Sequence, residues 1–147
     1  MSISTFKWCS MSCLIMLSLL PIHAIAGKIS VAIEYDSKLS GNLGCALFSQ
    51  SDGFPMNFAQ ATLQWKESST TDYTCTFDDV ATGSYAIAVM LDMNDNQKLD
   101  TSLVGIPTEA WGVSNNVKHR FRAPTFSEAS FDVVNNQEQF ITIRMSK

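Results

Sequence analysis

Polar and apolar residues alternate from Lys28 to Tyr35, with Ile29, Val31, Ile33 and Tyr35 on one side and Lys28, Ser30, Ala32 and Glu34 on the other. A period of two is what a strand with one buried face requires. Further short segments rich in apolar, β-branched and aromatic residues fall at 41–48, 62–66, 73–77, 85–91, 130–134 and 140–145. Turn formers separate them, "SQSDGFP", "ESSTTD", "DDVATG" and "VNNQEQ", whose residues preset or tolerate turn geometry. The pattern predicts an all-β fold, a single antiparallel β-sandwich of about seven strands. Helical turns suit only 57–61 and 127–129, the second opened by Ser127 with Glu128 close behind, a capping arrangement. Asp92 to Ser127 carries no strand signal. A loop of that length in a compact domain is either functional or pinned by something other than a hydrogen-bond ladder.

The first 26 residues follow a different logic. Lys7 is their one charge; an apolar run from Cys13 to Leu20, Pro21 and the small-x-small pattern Ala24-Ile25-Ala26 follow. This is the form of a cleaved signal peptide, its apolar run well short of the roughly 20 residues of a membrane span. An uncleaved anchor is the alternative. Gly27 after the cut, where a lipid anchor needs cysteine, argues against lipidation. The expected organisation is 1–26 signal peptide and 27–147 one sandwich domain, periplasmic or secreted and not an integral membrane protein after processing. With a formal charge of −4 for the whole chain, and one unit more negative without Lys7, nucleic acid and acidic membrane surfaces are poor partners. A small molecule, glycan or protein partner stays open. Cys45 and Cys75 are the cysteines of the mature part, and in an oxidising compartment they are expected to pair. Two buried free thiols are the alternative.

The sharpest chemistry lies in "LDMNDNQKLD", Leu91 to Asp100, where Asp92, Asn94 and Asn96 recur at every second position before Asp100. Calcium takes six to eight oxygens from carboxylates, amides, carbonyls and water. Asp92, Asn94, Asn96 and Asp100, with a backbone carbonyl near Lys98, form a candidate structural calcium loop, and Asp95 is expected to point outward. The helix-loop-helix calcium motif wants Gly and a bidentate Glu where this chain has Gln97 and Leu103. A polar turn is the competing reading, because Asp and Asn hydrogen-bond their own backbone and tolerate unusual angles.

The order of motifs from Gly83 to Ala129, "GSYAIAVMLDMNDNQKLDTSLVGIPTEAWGVSNN" and then "RAPTFSEASF", resembles the secreted bacterial family called domain of unknown function 2141. Its shared elements are a Gly-x-Tyr-Ala strand at Gly83–Ala86, the Asp-x-Asn-x-Asn loop at Asp92–Asp100, a Gly-Ile-Pro-x-Glu segment running to Asn115, and Pro-x-Phe-x-x-Ala at Pro124–Ala129. The resemblance implies an exported β-sandwich, raises the case for an ion-stabilised loop and supplies no activity. Where the family often has His before the first Asp, this chain has Leu91.

Gly105 and Gly112 suit positive φ or close backbone approach. Glu109 is expected to accept backbone amides across the long loop. The alternative puts Glu109, Trp111, Ser114 and Asn115 around a cleft, with Glu109 and Asp100 as the paired carboxylates of a hydrolase. His119 stands in the cluster Lys118-His119-Arg120-Phe121-Arg122, which reads as a solvated loop face. No Gly-x-Ser-x-Gly elbow accompanies it, so an enzyme is the poorer reading. One histidine and two paired cysteines do not make a zinc site. Trp65, Tyr85, Trp111 and Phe126 offer a stacking platform for a glycan or peptide, with core packing as the default.

Overall fold

Ile29, Val31 and Ile33 face inward from β1 (Gly27–Glu34), as their alternation requires. The computed structural model describes residues 26–35, 40–66, 73–134 and 137–147, without the side chains of Leu63, Trp65 and Lys66. The expected signal peptide, the "ESSTTD" turn and the Trp65 ring therefore lie outside the described residues. The remaining strands are β2 (Asn42–Phe48), β3 (Thr62–Lys66), β4 (Thr74–Val80), β5 (Gly83–Asp92), β6 (Ala110–Val113), β7 (Phe131–Val133) and β8 (Glu138–Arg144). One four-residue helix, α1 (Phe126–Ala129), is capped by Thr125, where Ser127 was expected.

Two sheets form, β4-β1-β8 and β3-β2-β5-β6, with β7 also on β5. The all-β expectation holds, and sandwich packing agrees with it. Two details differ. Among the described residues there are eight strands, because Ala110–Val113 pairs with Leu91–Ala88 inside the stretch expected to be strandless. The pairing is also not wholly antiparallel, since β1 and β8 run parallel from Lys28↔Glu138 to Glu34↔Arg144. Parallel neighbours need a long crossover. Here the first and last strands meet after the entire second sheet has been laid between them.

One core fills the space between the sheets, from Ile29, Val31, Leu43, Ile87, Val89, Leu91 and Ile143. A second core covers the outer face of β2 and β5, where Phe48, Ala88 and Met90 meet Phe58, Val113 and Ala129. Phe54 packs edge-on against Phe48 and Phe126 there, with centroids 5.2 and 6.0 Å apart. Burial on both faces is why "LGCALF" and "AIAVML" read as unbroken apolar runs where a half-buried strand would alternate. Cys45 and Cys75 are disulfide-bonded and tie β2 to β4, one strand from each sheet. Beside them the Gln64 side chain donates to the Thr76 carbonyl and accepts its N–H, a second tie between the sheets.

At the far end Trp111 and Ser146 exchange both backbone hydrogen bonds, at 3.2 and 3.0 Å, closing β6 onto the tail of β8. Gly112 makes this closure feasible: a Cβ there would lie 2.7 Å from the Arg144 carbonyl oxygen.

Candidate functional site

The polar loop begins where β5 ends. Asp92 is 1% exposed, and its carboxylate accepts the backbone N–H of Asn94 at 3.3 Å, Asn96 at 3.2 Å and Gln97 at 2.6 Å. The buried charge thus curls the next five residues around itself, an Asx-type device carried further. Two residues adopt left-handed backbone to complete the curl, Asp95 (φ 60°) and Gln97 (φ 59°). Gln97 occupies the place for which a paired-helix calcium loop reserves glycine.

Glu109 locks the loop from the other side. It is buried, and its two oxygens accept Met93 N–H at 2.7 Å and Asp100 N–H at 3.0 Å. Glu109 therefore clamps the first and last turns of the loop together. This is the amide-accepting arrangement, with both Glu109 oxygens engaged by backbone N–H groups.

The exposed part of the loop converges on Asp100. Asn94 Nδ2 donates to Asp100 Oδ2 at 2.6 Å, and Asn96 Nδ2 donates to Oδ1 at 3.0 Å. Lys98 N–H donates to Asn96 Oδ1 at 2.9 Å. Asp95, expected to face out of the curl, accepts from Asn42 Nδ2 at 2.7 Å and tethers the loop to β2. Four of the candidate ligand side chains, Asp92, Asn94, Asn96 and Asp100, thus share one curl. Among the described residues no three His, Cys, Asp or Glu side chains gather as a metal cluster.

The other candidate site residues take separate roles. Ser114 is fully buried; its Oγ accepts Ile87 N–H at 2.9 Å and donates to the Ala129 carbonyl at 2.5 Å. Ile87 lies between the part of β5 that pairs with β6 and the part that pairs with β7, so the hydroxyl substitutes for a missing ladder partner. Asn115, at φ 60°, donates to the carbonyls of Glu128 and Ser130. Asn116 donates to the Thr142 carbonyl and accepts Arg144 N–H, extending β8 with a side chain in place of a strand. Trp111 is half-buried and lines two shallow grooves.

The basic cluster is divided by one acid. Glu128 takes both nitrogens of Arg122, at 2.6 and 2.9 Å, and faces His119 Nε2 at 3.0 Å. It also accepts the N–H and hydroxyl of Thr125, both at 2.8 Å. The Arg122 guanidinium, then the Thr125 donors, hold the Glu128 carboxyl well below its ordinary 4.5. A carboxyl depressed in the fold contributes stability that is present above its unfolded pKa and lost as pH falls toward the folded one. Glu128→Gln is therefore expected to flatten the decline in urea midpoint below pH 4.5, and an unchanged acid limb would show that solvent already screens the cluster.

These features define an all-β protein with a self-closing polar loop anchored by two buried carboxylates. The chain belongs to the family described as "Uncharacterized protein conserved in bacteria (DUF2141)", whose model matches residues 31–142 and so includes that loop. No curated protein matches the chain. Among solved structures it is similar to a pilus-presented adhesin, Spy0125 (Cpa), at 8% identity and a TM-score of 0.31. The likeness covers 84% of this chain and 28% of the adhesin chain. It is too distant to bear on function. No helix among the described residues is long and apolar enough to cross a membrane.

Proposed function

We propose that this chain is an exported, non-catalytic β-sandwich module whose Asp92–Asp100 loop holds a structural calcium ion, and that it works by binding or by support in the cell envelope. The observation that carries this reading is the convergence of Asn94 and Asn96 on both oxygens of Asp100. In that arrangement amide nitrogens occupy the place a cation would take beside the carboxylate. Turning each amide over would present its oxygen to the same point, and the two bonds to Asp100, together with the Lys98 N–H bond to Asn96 Oδ1, would give way to metal coordination. The donor set is entirely hard oxygen, from carboxylate, amide and the carbonyls of an exposed curl, which suits calcium and not zinc. Two loop carboxylates with water completing the shell belong with weak sites, at dissociation constants of about 10⁻⁴ to 10⁻³ M. Export is supported by the N-terminal segment and by the Cys45–Cys75 bond, which suits an oxidising compartment.

Thermal melts in excess chelator and then in millimolar calcium test the reading. At ten times the dissociation constant, calcium is expected to add about 1.4 kcal/mol and to raise the midpoint by several degrees. Asp100→Ala is expected to abolish that gain. An unchanged midpoint in the parent protein makes the loop a self-satisfied polar turn, and a gain that survives Asp100→Ala places the ion elsewhere.

A further inference from the structure

The Asp100–Thr108 segment folds out from the polar loop as a hairpin. Thr101 bridges Pro107, and Thr108 N–H donates to the Asp100 carbonyl at 2.8 Å. At the tip, Ser102 N–H donates to the Ile106 carbonyl and Gly105 N–H to the Ser102 carbonyl, both at 2.8 Å, with Gly105 at φ 78° making the turn. Ile106 N–H is taken by Ser102 Oγ at 3.2 Å. The finger satisfies these amides internally, which lowers the cost of moving it out of water.

What the finger carries outward is apolar. Leu103 is 109% exposed, Val104 79% and Ile106 63%. Across a groove of about 370 Å³ stand Phe121, 90% exposed, and Arg120. Arg120 lies 5.4 Å from the Phe121 ring and makes no ion pair among the described residues. Lys118, which lines the other groove, donates to the Ser146 hydroxyl at 2.6 Å. Arg122 and His119, by contrast, are engaged by Glu128.

We propose that the Leu103–Ile106 tip, together with Phe121 and Arg120, docks this protein on an anionic phospholipid surface. Two observations select that occupant. The first is charge: in a chain of formal charge −4, the groove beside the protruding tip is lined by Arg120 and Arg122 and by no carboxylate, and Arg120 is in none of the ion pairs among the described residues. Electrostatic attraction to lipid headgroups acts within a Debye length of about 10 Å, so a cation lining the groove counts for more than the net charge of the whole chain. The second is shape. Three aliphatic side chains and one ring on a convex tip are too small for the roughly 800 Å² per partner of a specific protein interface. Shallow insertion at the headgroup boundary, with Arg120 on phosphate, needs no such area. The proposal does not depend on calcium at the neighbouring loop.

Cosedimentation of the folded domain with phosphatidylglycerol-containing vesicles, and with pure phosphatidylcholine vesicles, tests it in chelator and again in millimolar calcium. Binding is expected only to the anionic vesicles and to weaken with salt. Leu103→Ser with Val104→Ser is expected to reduce it about tenfold or more, and Arg120→Glu to weaken it further. All three positions are exposed, and unchanged circular dichroism melts verify the fold. In a second measurement, Leu103→Trp emission is expected to shift to the blue on adding anionic vesicles. Absence of binding overturns the proposal. So does binding seen only with calcium and unmoved by the tip substitutions, which marks ion bridging, or a dimer in solution that those substitutions dissolve.

Discussion

Replacing Cys45 and Cys75 together by Ala is expected to lower the unfolding free energy by about 3–4 kcal/mol, the chain-entropy cost of opening a loop of about 30 residues. The two residues are 30 positions apart, both are 0% exposed, and they join β2 of one sheet to β4 of the other. Their loop contains β3 of one sheet and leads to β4 of the other, so the unbridged chain gains its freedom in the segment that must find a partner on each side. Gln64 and Thr76 remain as a polar tie across the same gap, which preserves register but not the entropic constraint. Urea midpoints at equal slope for the oxidised parent, the reduced parent and the double Ala variant read the effect. Reduced and variant proteins should coincide well below the oxidised one. A shift under 0.5 kcal/mol would mean that packing between the sheets alone defines the denatured-state reference. Thiol titration of the oxidised domain should find none at these positions.

How much of this molecule was legible before its structure depends on whether the determining contact is local. The alternation in β1 and the unbroken apolar runs of β2 and β5 carry their burial on their faces, since one pattern needs one covered side and the other needs two. "AWGV" carries no such sign. It is four residues long, and its strand character comes from pairing with β5 and from the Arg144 backbone pressing on Gly112, neither of which is near it in the chain. The parallel contact of β1 with β8 is hidden for the same reason, because both strands alternate equally well whichever neighbour they take. In the loop, oxygen-bearing residues at every second position disclose the curl, and Glu109 discloses itself as an acid in an apolar setting. Their partners are backbone amides, which every residue possesses, so composition cannot name them. Ser114 and Asn115 illustrate the converse. As residue types they suit a cleft, yet one repairs a gap in the β5 ladder and the other holds the carbonyls around α1.

Asp92→Ala is expected to destabilise the fold by about 2–4 kcal/mol, because it strands amides that had shared one buried carboxylate. Its three donors, Asn94, Asn96 and Gln97, approach at 2.6–3.3 Å. The left-handed angles at Asp95 and Gln97 persist only while those bonds over-determine them. Water can reach the exposed outer residues of the curl, which keeps the loss below the sum of three buried hydrogen bonds. Asp92→Asn retains the shape and one acceptor oxygen and should lose roughly half as much. Asp100→Ala removes only exposed side-chain contacts and should cost under about 1 kcal/mol without calcium. The three variants, compared by chemical denaturation in chelator, separate scaffold from ion. Asp92 sets whether the curl exists, Asp100 sets whether it responds to calcium, and an Asp92→Ala loss no larger than that of Asp100→Ala would show that Glu109 alone clamps the loop.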